Sequence, residues 1–411
     1  MFWMKLRALV ITGVLSLTLT PMAVADWQAV GHWDEIRDQT RSAYFTNDGE
    51  FQPAHLRSNS ALFLAMFSAM NAVDGRYSPY HEDLEAIPGA DAELSGHAAA
   101  ASVIMMMYPE ANSEAIQAAL DAAMNNADET TRIASLAAGE AAATAAFVSA
   151  NATIGDVPPY RPFTVAGRWV PTTPPVFRGG LGHRPFLTDA PNNLAPPGPP
   201  ALDSEQWEID FNEVREIGRE DSNLRTDEQS YEARFWIRKD WEPLVMQLAE
   251  RREWSMFEAA RAYALIAVAT SDAGLATGWA KDHFQFWRPE TAIRNADLDG
   301  LDDTEIEASW EPYLTSPPHP EYPCAHCSYG AAVSATLEGL FDLEDGETLN
   351  VYAVDSPDEI QAISDFGEFS RRMSMSRLYG GVHYRTSNDH ADEIGRQAAE
   401  LALERFGAPI E

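Results

Sequence analysis

Three things are scarce in this chain of 411 residues. Cysteine occurs twice, at Cys324 and Cys327, so at most one intrachain disulfide is available. Basic residues are outnumbered: 29 Lys and Arg face 63 Asp and Glu, for a formal net charge of −34. Such a field repels phosphate polymers and anionic lipid, which argues against nucleic-acid binding. Any small anion that binds must be held by local cations against that field. Long apolar runs are also missing: between Trp27 and Asn151 no stretch makes a convincing twenty-residue span, so no transmembrane helix is expected in the mature chain. Strand-like alternation is rare throughout, and helical periodicity prevails, which predicts an all-α fold.

What is present is 45% hydrophobic and long enough for one large or two modest cores. Residues 1–25 read as a secretory signal: Lys5 and Arg7, an apolar run from Ala8 to Leu19, then Ala23-Val24-Ala25. Cleavage before Asp26 and a secreted or periplasmic location are the expectation. Residues 26–156 form a helical region in which His97 and Met105-Met106-Met107 read as core rather than ligands. Residues 157–204 turn rich in proline and glycine, with His183 inside them, and read as a long loop that either roofs a site or simply links two lobes. Helical pattern resumes over 205–411, with a long Ala-rich helix from Trp254 to Ala280 and further helices from Ser356 to Leu378 and from Asn388 to Phe406. Asp272 on the Ala-rich helix is a candidate acceptor behind a cation, the alternative being a helix-end or solvent-facing role. The run Asp297, Asp299, Asp302, Asp303 around Gly300 has the composition of a calcium loop without its spacing, so a solvated turn is expected there.

Chemistry concentrates between Lys281 and His383. In 281-KDHFQFWRP-289 two cations stand seven apart, on one face if the segment is helical, and Pro289 should end the helix near Arg288. In 323-PCAHC-327 a loop enters a helical stretch, so free backbone N–H groups near Ala325 favour an anion, with His326 above it. In 376-SRLYGGVHYRTSND-389 Arg377 and His383 would diverge on an unbroken helix, but Gly380 and Gly381 let both face one site.

Lys-x6-Arg-Pro, Pro-x-x-His and Ser-Arg-x5-His, in that order, resemble the three-part signature of the vanadium-dependent haloperoxidases and of the type 2 phosphatidic-acid phosphatases and bacterial acid phosphatases that share their site. Trp287-Arg288-Pro289 followed by Thr291 to Arg294, Glu321-Tyr322-Pro323 and 211-FNEVREIG-218 look most like bacterial haloperoxidase-like proteins, and the likeness runs from about Phe211 to the C-terminus. The resemblance implies helical bundles around an oxoanion. For a haloperoxidase it implies vanadate held by His383, with Lys281, Arg288, Arg377 and the backbone near Ala325 on its oxygens. His326 then serves as acid and base, Lys281 polarises peroxide, and hydrogen peroxide and halide are the substrates. For a phosphatase it implies no cofactor, a phosphate ester as substrate, His383 as nucleophile and His326 as the acid for the leaving alcohol.

Two positions depart from the signature. Cys324 stands where the family has a serine that donates to the anion, and a thiol donates weakly. Ser387 stands where the phosphatase form has an aspartate to orient the histidine; Asp389, two residues on, is a substitute only if the chain curls. This tilts the reading toward the peroxidase, with a degenerate oxoanion binder as a third possibility. A Cys324–Cys327 disulfide would protect both sulfurs in an exported chain, the alternative being two free thiols; a zinc site with His326 lacks an evident fourth ligand. The sequence does not give the oligomeric state or the halide.

Overall fold

The computed structural model describes residues 26–44, 53–158, 160, 161, 165–170, 178, 181–237, 240–353 and 356–410. The expected signal segment, 1–25, lies outside them. Thirteen α-helices form among the described residues: α1 Gln28–Tyr44, α2 Pro53–Asp74, α3 Ala92–Met107, α4 Glu114–Ala123, α5 Glu129–Asn151, α6 Glu205–Ile217, α7 Asp227–Phe235, α8 Glu242–Arg251, α9 Met256–Phe284, α10 Pro289–Arg294, α11 Ala325–Leu340, α12 Phe366–Tyr379 and α13 Arg385–Arg405. An all-α fold is therefore observed, with one exception. Strands β1, Leu349–Ala353, and β2, Ser356–Ile363, pair as an antiparallel hairpin where the sequence had predicted the start of a helix. The helix begins only at Phe366, with Asp365 accepting from the Glu368 N–H at its N-terminus.

α9 is the axis of the molecule. A capping box starts it: the Ser255 hydroxyl accepts from Glu258 N, while the Glu258 carboxylate accepts from Ser255 N. Its alanines carry so little bulk that α2, α11 and α13 all pack on it. One apolar core consequently runs from Trp27 to Phe406 and draws on both helical regions. α9 stops at Phe284 because Gln285 takes a left-handed conformation with φ 47°. Arg288 is thus not on the helix face with Lys281, as the spacing had suggested, but is the residue immediately before α10, with its side chain turned away from that helix's first N–H groups.

α5 has the length and composition to cross a membrane, contrary to the sequence expectation that no span would meet that test. Its Ala138, Ala142, Ala143 and Ala146 are buried, and the helix packs on α2 and α3, as a core helix does. Gly139 is what allows that approach: a Cβ there would lie 2.4 Å from the Cβ of Ala98.

The proline- and glycine-rich region is tied down where it is described. Trp169 N donates to the Gln285 carbonyl and Trp287 N to the Gly167 carbonyl, so the region pairs with the segment joining Lys281 to Arg288. Asp272, the candidate acceptor behind a cation, interacts with the charge of Arg57, and its carboxylate accepts the backbone N–H groups of Phe186 (2.8 Å) and Leu187 (2.7 Å) and so clips this region to α9. The expected solvated acidic turn is organised inward by Asp299, which accepts from the Trp207 indole, Leu301 N and the Thr304 hydroxyl.

Candidate functional site

Lys281 ends α9, Arg288 precedes α10, His326 sits in the first turn of α11, Arg377 in the last turn of α12, and His383 just ahead of α13. Five separate elements therefore converge, and the turn after α12 makes this possible. Gly380 closes the helix, Gly381 takes φ +73°, and Val382 N returns to the Arg377 carbonyl. The glycines are required by space as well as by angle, since a Cβ at Gly381 would lie 2.2 Å from the Gly218 carbonyl oxygen.

The segment 319–323 ties the group together. Lys281 Nζ donates to the carbonyls of Pro320 (2.9 Å), Glu321 (2.8 Å) and Pro323 (2.5 Å), which uses all three ammonium hydrogens. Arg288 Nε donates to the His319 carbonyl, and its Nη2 to His319 Nδ1 at 2.9 Å. Arg288 Nη1 donates to the Val382 carbonyl at 2.6 Å and lies 3.1 Å from His383 Nε2. On its other side, His383 Nδ1 lies 2.8 Å from Glu321 Oε1, an oxygen that also accepts Tyr384 N. An arginine always donates and the carboxylate accepts, so His383 carries its proton on Nδ1 and its unprotonated Nε2 accepts from Arg288.

Arg377 differs from the other two cations. It is 3% exposed, and its Nε and Nη1 find no hydrogen-bond partner. Burial pushes its pKa down to about 10, which still leaves it charged at neutral pH. Burial, then Arg288 and Arg377, holds the Lys281 ammonium well below its ordinary value, with Glu321 opposing. His383 is kept neutral by burial and then by Arg288, Lys281 and Arg377. His326, only half-buried, is pushed down to about 3 by desolvation and by Arg377, Lys281 and Arg288, while a bond to the Ile237 backbone opposes the shift.

Cys324 caps α11, its sulfur accepting from Cys327 N, and is bonded to Cys327 with S–S 2.07 Å. Both cysteines are buried beside Ala391. His326 thus lies inside a two-sulfur loop, and Ala325 N, at the first helical position, is one of the helix N–H groups without an intrahelical acceptor.

Residues 261–411 match the family model of the VCPO second helical-bundle domain. A bacterial vanadium-dependent iodoperoxidase superposes with a TM-score of 0.73 at 21% identity, over 94% of this chain and 97% of its own. The fold is that of the vanadium-dependent haloperoxidases. The apo form of a bacterial vanadium-dependent chloroperoxidase gives a TM-score of 0.69 at 20% identity, over 88% of this chain and 94% of that one. A holo form gives 0.66 at 20%, over 90% and 97%. No curated protein sequence matches the chain.

A tetrahedral oxoanion suits the residues that this haloperoxidase-like fold brings together. The two unpartnered donors of Arg377 are buried with nothing to bind, and His383 Nε2, unprotonated and accepting from Arg288 Nη1, puts a lone pair among three cations. Two residues at the site had gone unassigned in the sequence, His319 and Glu321. Both lie in the proline-rich run ahead of the second motif. The absence of aspartate at 387 was the available signal that a carboxylate had to come from elsewhere. Asp389 does not supply it, being exposed, and Ser387 is buried.

Proposed function

We propose that the chain is a vanadate-dependent haloperoxidase that oxidises halide with hydrogen peroxide, exported from the cell after loss of residues 1–25. The observation that carries this reading is the pair of unused Arg377 donors at a site where the unprotonated nitrogen of His383 is fixed in place between Glu321 and Arg288. Vanadate, when bound, would supply a Lewis-acidic centre that activates peroxide without changing its own oxidation state.

The protein's own groups then divide the work. His383 Nε2 would be the ligand, and Arg377, Arg288, Lys281 and the N–H groups at the start of α11 would balance the anion's charge. Fixed donors of this kind need no reorganisation as charge shifts during reaction. His326 is neutral at pH 7, so it would accept a proton at the site before it could give one back, and the base half of its role would precede the acid half. Lys281 contributes charge and, through three carbonyls, the position of the 320–323 segment.

A phosphomonoesterase is the second reading, and one observation favours it. Glu321 gives His383 the tautomer that a nucleophilic imidazole needs, so the departure at Ser387 no longer counts against it. One preparation separates the two when assayed, with and without orthovanadate, for bromide and iodide oxidation by peroxide and for hydrolysis of a chromogenic phosphate ester. Halide oxidation that appears only with orthovanadate is expected. Ester hydrolysis without vanadate, abolished by adding it and with no halide oxidation, would overturn the proposal in favour of the phosphatase.

A further inference from the structure

We infer that Glu321 is the positioning residue for His383, replacing from the preceding loop the carboxylate that the third motif lacks at Ser387. This rests on the reading of His383 as the group that binds the oxoanion. Its basis is geometric. Glu321 Oε1 takes the His383 Nδ1 proton at 2.8 Å and the Tyr384 N–H at 3.1 Å, so one oxygen fixes both the ring and the backbone that carries it. The glutamate itself is held from both sides: its N–H donates to the Phe286 carbonyl at 2.9 Å, and its carbonyl accepts from Lys281 Nζ. It is fully buried, so water does not compete for that oxygen.

A carboxylate behind a metal-ligating histidine sets the tautomer and raises the basicity of the nitrogen that faces the metal. It also removes positive charge from the site. The two effects have opposite signs for Glu321→Gln. Loss of basicity weakens an anion that bonds to His383 Nε2, whereas loss of the negative charge tightens any anion held by charge alone.

The test is titration calorimetry of the full chain with orthovanadate and, separately, with sulfate, which forms no bond to imidazole. Glu321→Gln is expected to weaken orthovanadate by about 10- to 100-fold while leaving sulfate unchanged or tighter. Glu321→Asp, keeping the charge with a shorter reach, should recover part of the loss. Equal changes for both anions in Glu321→Gln would overturn the inference and leave Glu321 as a charge balance only. A second measurement needs neither vanadate nor a variant: ¹⁵N shifts of the His383 ring in the wild type should show a protonated Nδ1 and a bare Nε2. The reverse tautomer sinks the positioning role outright. If the wild type binds no orthovanadate, the functional proposal fails while the ring shifts still decide the role of Glu321.

Discussion

Replacing Arg377 by methionine isolates the one of the site's three cations whose donors are idle. Each buried donor without a partner costs about 1–3 kcal/mol, so Nε and Nη1 together destabilise the anion-free protein by about 2–6 kcal/mol on that scale. Methionine has comparable length, no charge and no donor, and exchanging a buried ion for an apolar side chain is often neutral or stabilising. The anion-free variant should melt at the wild-type temperature or above it. Binding should suffer instead. Two charge-assisted hydrogen bonds at about 1.5–3 kcal/mol each amount to about 3–6 kcal/mol, and about 1.4 kcal/mol is tenfold, so orthovanadate affinity should fall by about 100-fold or more. Thermal melts with and without the anion read both effects at once. At a ligand concentration of about 100 Kd the wild type gains about 2.7 kcal/mol, and a variant weakened about 100-fold gains about 0.4 kcal/mol. An Arg377→Met protein that melts well below wild type without anion, yet is stabilised by it as much as before, would refute the reasoning.

Three further outcomes follow from other parts of the molecule. His97, whose Nδ1 accepts the Trp33 indole N–H at 2.8 Å, is lowered by burial from its ordinary 6.5 to about 4. The unfolded chain therefore binds a proton that the native one refuses: the contribution is complete above about pH 6.5 and is lost as pH falls toward 4. The stability gap between wild type and His97→Gln, from urea unfolding, should narrow over that range. The raised pKa values of Asp272 and Glu321 act oppositely but cancel in the comparison, so a flat gap would contradict the assignment. Asp272→Ala leaves two buried N–H groups unpaired and should lower stability by about 3 kcal/mol, with faster proteolysis of the proline-rich region; an unchanged urea midpoint would show that the clip is dispensable. Gly395→Ala places a Cβ 2.3 Å from the Ser328 carbonyl oxygen and should destabilise by about 1–3 kcal/mol as α13 moves off α11; the check is the melting temperature, and no change would mean that the helices yield freely.

The parts of the site that were legible in the sequence are those fixed by spacing and backbone freedom. Lys281, Arg288, His326, Arg377 and His383 could be read from motif order, and the Gly380-Gly381 turn from the need to bring Arg377 and His383 to one side. Residues set by tertiary contact were not legible. Nothing local marks Glu321 as the partner of a ring 62 positions later, or Asp272 as the acceptor for two N–H groups more than eighty residues earlier. The long α9 helix was expected with its end misplaced by four residues, Ala280 against Phe284, because end positions depend on a single left-handed residue, Gln285. The β1–β2 hairpin was missed because its second strand carries Ser, Pro, Asp and Glu, residues with little preference for strands, and is held by pairing with β1.

Lys281, Arg288 and Arg377 are each at most 3% exposed, beneath a surface that leaves the whole chain at −34. An anion drawn from solution therefore climbs a repulsive slope before it meets the three buried cations. Entry is slowed in such a landscape, so the on-rate for an oxoanion should be low. Added salt, by shrinking that slope, should speed entry, the reverse of what screening does where a net field attracts its ligand.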